Sequence, residues 1–80
     1  MDKVVNVTAY KFVQLDCLAD RREQLLTLTT GLSLKGTILL SREGINLAVA
    51  GARSSVDQFL RQLGEDPKLA NLEVKESFST

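Results

Sequence analysis

Apolar and polar positions alternate in two distinct rhythms along the chain. From Val4 to Val13 the sequence Val-Val-Asn-Val-Thr-Ala-Tyr-Lys-Phe-Val is rich in β-branched and aromatic residues, and Val5, Val7 and Ala9 share one side of a two-residue repeat. This predicts a first strand. Between Asp16 and Leu32 the period lengthens: leucines at 18, 25, 28 and 32 fall near one helical stripe, with Asp20, Arg21, Glu23 and Gln24 around it. A first helix is expected there. Asp16 is one candidate for its N-terminal cap, Asp20 and Glu23 have a competing capping-box spacing, and Gly31 suits a left-handed C-terminal cap.

Two further apolar runs, Leu34 to Ser41 and Ile45 to Gly51, are joined by Arg42-Glu43-Gly44, where glycine can supply the backbone angle of a tight connection. They predict a hairpin. Beyond Gly51, Val56, Phe59, Leu60 and Leu63 follow the i, i+3, i+4, i+7 pattern, with Ser54 and Asp57 at capping-box spacing and Gly64 at the end. Pro67 disfavours helical geometry in the residue before it, so a loop follows this second helix. In the last segment Leu72, Val74 and Phe78 mark a strand whose Glu73, Lys75 and Ser77 face away from the core.

The order strand, helix, hairpin, helix, strand specifies an α+β fold: a ferredoxin-like βαββαβ sandwich with two helices on one face of a four-stranded antiparallel sheet. Residues 1–80 are expected to form one such domain, since a chain this short supports one core. Ordinary scaling of stability with length gives it roughly 4–12 kcal/mol. The assigned registers place Asn6, Thr8, Tyr10, Lys35, Thr37, Leu39, Asn46, Ala48 and Lys75 on the uncovered face. That face is only half polar, which suits docking.

Composition then narrows the chemistry. Ten basic and ten acidic residues leave no net charge, so no strong overall field draws the chain to nucleic acid or anionic lipid, and any RNA contact must be local. With one cysteine and no histidine, a disulfide framework, a Cys/His zinc cluster and a Ser-His-Asp or Cys-His nucleophile are excluded within the chain. Cys17, near a helix start, is read as a half-buried packing group, because no base accompanies it. No catalytic, cofactor-binding or metal-binding residue is assigned. The first residues lack the apolar stretch of a signal peptide and no apolar run approaches the ~20 residues of a membrane helix, so a cytoplasmic protein without membrane contact is expected.

Three local features invite a binding role and have simpler explanations. The turn Arg42-Glu43-Gly44-Ile45-Asn46 concentrates polar groups, but Gly and Asn are also what a hairpin turn needs. Lys35-Gly36 lacks the glycine-rich spacing of a phosphate loop, so Gly36 is read as a bulge or a close backbone approach. Acylphosphatases share this topology and cradle their anion in a loop bearing Gly and Arg after the first strand. The corresponding Gln14-Leu15-Asp16-Cys17 has neither, which disfavours phosphate hydrolysis. Base stacking in the manner of RNA-recognition motifs is poorly served as well, since the third strand carries no aromatic residue.

Five stretches together carry a family resemblance: Ala9 to Val13, Leu34 to Leu40, Glu43 to Asn46, Ala48 to Gly51 and Val74 to Phe78. In that order and spacing they resemble the N-terminal domain of the bacterial rhodanese-domain tRNA uridine hydroxylases, over nearly the whole chain. The resemblance implies an acylphosphatase-like domain preceding a C-terminal rhodanese domain that holds the active-site cysteine. It implies that the full protein forms 5-hydroxyuridine at the tRNA wobble position with molecular oxygen. Cys17 does not match that cysteine, so no catalytic residue transfers to this chain. The implied role is supportive, with two partners: the rhodanese domain of the same protein and tRNA. Tyr10, Thr37, Leu39 and Ala48 are the candidate docking residues, and Lys35, Arg42 and Lys75 the candidate contacts to tRNA phosphates. A free-standing acylphosphatase-like hydrolase and a small regulatory ligand-binding module are the alternatives.

Overall fold

The computed structural model describes residues 3–79. Six elements run along the chain: β1 (Val4–Phe12), α1 (Leu18–Gly31), β2 (Lys35–Ser41), β3 (Gly44–Gly51), α2 (Arg53–Gly64) and β4 (Glu73–Ser79). The strands form one antiparallel sheet in the order β2-β3-β1-β4. This is the expected βαββαβ sandwich.

Period-two alternation on β1 decides the layering. Val5, Val7 and Ala9 are each 1% exposed and pair with Gly51, Val49 and Leu47 of β3. On the same face, one buried cluster joins these strand residues to Leu25 of α1 and to Val56, Phe59 and Leu63 of α2. Both helices therefore cover one side of the sheet. The periodic residues of α2 are the buried ones, apart from Leu60, which is partly buried. In α1 only Leu25 and Thr29 are buried, and Leu18, Leu28 and Leu32 pack at the margin of the core.

The helix ends differ from the sequence expectation. Helix α1 starts after Cys17, which adopts a left-handed backbone (φ 50°), and no side chain caps it. Asp16 instead lies beside Arg21 and Lys68, at 3.7 and 3.8 Å. At the C-terminus Gly31 belongs to the last turn, and Ser33 takes the left-handed conformation (φ 56°). The amide of Ser33 donates to Thr30 O and that of Leu34 to Thr29 O, the paired bonds of a Schellman ending. Burial of Leu34 sets this geometry two residues beyond the glycine, because the side chain must turn back under the helix to reach the core. Ser54 does not cap α2 either. Strand β3 stays paired through Gly51, so Ala52 alone makes the connection and the helix starts at Arg53.

Two glycines are required by close approach. A Cβ on Gly36 would lie 1.9 Å from Ala48 O, and one on Gly44 would lie 2.1 Å from Lys11 O. The reading of Gly36 as a close backbone approach holds. At the hairpin, Ser41 pairs with Gly44 across Arg42-Glu43, so the glycine is the first residue of β3 rather than part of the turn.

Strand β4 is the least covered element, with all seven residues exposed. It is held by the β1 ladder and by Arg53 at the start of α2, which reaches Glu76 at 2.8 Å and lies 5.5 Å from the Phe78 ring centroid. A lysine closes the other end: Lys11 Nζ donates to Ala70 O at 2.6 Å, joining β1 to the segment ahead of β4.

Core truncation and cap repair should move stability in opposite directions. Phe59→Ala removes a fully buried ring and should cost about 3–5 kcal/mol in urea unfolding, a large share of the total for a domain of this size. Ser33→Gly should stabilise the domain by about 0.5–1 kcal/mol, because glycine adopts the left-handed conformation without the Cβ penalty.

Candidate interaction face

Cross-strand registers lay the uncovered face out in rows running from β2 to β4. Lys35, Ala50, Asn6 and Ser77 form one row, and Thr37, Ala48, Thr8 and Lys75 the next. Leu39, Asn46, Tyr10 and Glu73 form the third, with Ser41, Gly44 and Phe12 beyond it at the hairpin end. Every residue assigned to this face from the sequence lies on it. Thr37 and Ala48 are direct partners, and Leu39 and Tyr10 flank Asn46 in one row, so the structure gathers the four docking candidates into two adjacent rows.

The face has two halves of different character. Around Ala48, Ala50, Thr8 and Thr37 it is flat and built of small side chains. Toward the hairpin it is bulky and apolar: Tyr10 is 47% exposed, Leu39 62% and Phe12 86%. The rings of Tyr10 and Phe12 meet edge to face, 6.0 Å apart at 67°. Phe12 was not among the docking candidates. The signal for it was present, since the repeat that sends Tyr10 outward sends Phe12 the same way.

The basic candidates are not brought together. Lys35 and Lys75 sit on opposite edge strands, three strand spacings or about 14 Å apart. Arg42 is at the hairpin tip, seven residues along the chain from Lys35 and off the end of the sheet. The three make no continuous positive patch.

The loop after β1 is tied to the hairpin turn: the amide of Val13 donates to Glu43 O and that of Leu15 to Arg42 O, each at 3.0 Å, so those two N–H groups are not free to face an anion. Cys17 is exposed rather than half-buried, because its left-handed backbone directs the side chain away from the core. Among the described residues, no group of three or more Cys, Asp or Glu side chains could hold a metal ion, and no helix is long and apolar enough to cross a membrane.

On the opposite side of the domain, charge ties α1 to the loop before β4. Arg21 donates to an Asp66 oxygen and to Asp16 O, and Asp66 also accepts the Lys68 amide at 2.9 Å. The Lys68 amide and then the Arg21 guanidinium hold the Asp66 carboxyl below its ordinary value.

The element order and the sheet topology define a ferredoxin-like α+β sandwich of the acylphosphatase-like kind. Residues 4–80 match the UPF0176 acylphosphatase like domain, and the chain belongs to that family. Among its relatives are the tRNA uridine(34) hydroxylases of Bordetella petrii, 51% identical over 79 residues, Variovorax paradoxus, 46%, and Cupriavidus pinatubonensis, 44% over 77 residues. These matches take in 96–99% of this chain and 27–31% of the relatives, so the chain spans about a third of their length. In backbone, the chain is also similar to BlrB, a BLUF protein in its dark state, with a TM-score of 0.78. That likeness covers all of this chain and 64% of BlrB at 24% identity, and it shows the fold alone.

A carboxyl held below its ordinary value contributes stability that is present above the unfolded pKa of ~3.9 and lost as pH falls through the folded value. Asp66→Asn should therefore lower stability at neutral pH and flatten the loss of stability below about pH 4, measured by urea unfolding across a pH series. An acid limb as steep as that of the wild type would show that Asp66 is not the coupled group.

Proposed function

We propose that this chain is the accessory domain of a tRNA uridine hydroxylase, and that it supports a catalytic unit supplied by the rest of a longer polypeptide. The observation that carries this reading is the match of essentially the whole chain to about a third of enzymes named tRNA uridine(34) hydroxylase. The catalytic unit would be a rhodanese domain, whose cysteine supplies what this chain lacks. Oxygen-dependent formation of 5-hydroxyuridine would occur there.

The open face is the proposed contact surface. Tyr10, Thr37, Leu39 and Ala48 lie on adjacent rows of the one sheet side that no helix covers, and large apolar groups on a solvent-facing sheet favour a partner. Lys35, Arg42 and Lys75 are proposed to meet tRNA phosphates singly. Their separation suits an extended backbone that passes several points of the domain better than one phosphate pocket. Each would add a salt-sensitive, sequence-independent increment.

A domain exchange tests this function. Removing the matching third of the Bordetella petrii relative should abolish formation of 5-hydroxyuridine in tRNA, and inserting residues 1–80 of this chain in its place should restore it. A truncated enzyme that keeps full activity would overturn the supportive role. In the exchanged protein, changing Lys35, Arg42 and Lys75 to Ala should weaken tRNA binding and reduce the slope of log affinity against log salt by up to about 1 per lost contact. An unchanged slope would remove RNA from this domain.

A further inference from the structure

Phe12 has an unusual position. It ends β1 two residues past the last residue paired with β4, and its ring is 86% exposed. Its cross-strand partner is Gly44, which has no side chain to lean on the ring and cannot acquire one, because a Cβ there would collide with Lys11 O. On the other flank Tyr10 holds the ring edge to face. The outcome is a shallow depression of about 240 Å³, floored by Gly44 and Asn46 and walled by Tyr10 and Phe12 on one side and Leu39 and Ser41 on the other.

We propose that this depression is the anchor point at which the domain grips the remainder of the longer polypeptide, by receiving one large apolar side chain from it. The inference rests on the accessory-domain reading and adds where the grip is and what fills it.

Three observations support that occupant. Tyr10, Phe12 and Leu39 give the depression aromatic and aliphatic walls, and the Asn46 amide and the Tyr10 hydroxyl make no hydrogen bond among the described residues, which leaves polar groups to fix the orientation of what enters. Of the residues that line the recess, Lys11 and Glu43 are charged and of opposite sign, so it carries no net positive charge, which disfavours a phosphate backbone. Finally, the relatives carry about two-thirds of their length outside the part that this chain matches, which is ample to supply a partner surface. An aromatic ring that fills an apolar recess at the centre of a contact is the usual source of binding energy between protein surfaces.

Hydroxyl-radical footprinting read by mass spectrometry tests the proposal. It compares the isolated chain with the same residues placed in the Bordetella petrii enzyme. Phe12 and Leu39 should be oxidised at about a fifth or less of their rate in the isolated chain, as for groups at the dry centre of an interface. Phe78, which is exposed on the helix-covered face, should keep its rate. Unchanged rates at Phe12 and Leu39, protection of Phe78 instead, or protection that appears only when tRNA is added would each overturn the proposal. Formation of 5-hydroxyuridine by the exchanged protein is scored separately. An active protein with a reactive Phe12 sinks this inference and leaves the accessory-domain reading standing, and an inactive one with a protected Phe12 does the reverse. A second measurement needs only the isolated chain: Phe12→Asp should leave its urea midpoint unchanged. A clear fall would make Phe12 a structural residue and end the proposal.

Discussion

Everything in this domain follows from β1, a strand with neighbours on both sides and helices on one face. Val5, Val7 and Ala9 are driven under the helices by removal of apolar surface from water, and with the two-residue period of a strand that burial fixes every other side chain outward. Asn6, Thr8, Tyr10 and Phe12 are therefore presented on the open face whether or not anything binds there. A slip of one residue would exchange the two sets and expose the core. The same pairing carries the parity across to β3 and β2, so the open face is as rigidly specified as the core beneath it.

Coverage of the sheet is uneven. The helices share a core with β1, β2 and β3, whereas β4 depends on main-chain pairing with β1 and on the reach of Arg53 to Glu76 and Phe78. Few buried apolar contacts mean that an element opens at low free energy, so β4 is the natural site of local unfolding. The hairpin end is the opposite case. There the Gly44 backbone sits against Lys11, and the turn carbonyls take the amides of the loop after β1, so Tyr10, Phe12 and Leu39 stand on a stiff platform. Stiffness matters for docking because a preorganised surface loses little entropy when it is covered.

Those turn carbonyls also bear on the loop after β1. Amides that point at an anion must be free, and at Val13 and Leu15 they are spent on Glu43 and Arg42. One scaffold hosts many functions, and what a given chain does is set by such loops rather than by the sheet.

The sequence by itself determined the elements, their order and the two faces of the sheet, because periods of 2 and 3.6 are written in residue spacing and survive any tertiary arrangement. Val5, Val7 and Ala9 inward, and Lys35, Thr37, Leu39, Asn46 and Ala48 outward, were all legible in that way. Tertiary structure decided the rest. Ser33 rather than Gly31 took the left-handed turn because Leu34 had to reach the core, and Ala52 rather than Ser54 took the N-cap position of α2 because β3 stayed paired through Gly51. Local cap signals are worth about a kilocalorie, less than the burial of one leucine, so packing overrules them. The dispersal of Lys35, Arg42 and Lys75 and the recess beside Phe12 depend on the strand order β2-β3-β1-β4 and on a contact between Gly44 and Lys11, residues 33 positions apart in the chain. No local spacing encodes such distances; they exist only once the sheet has closed.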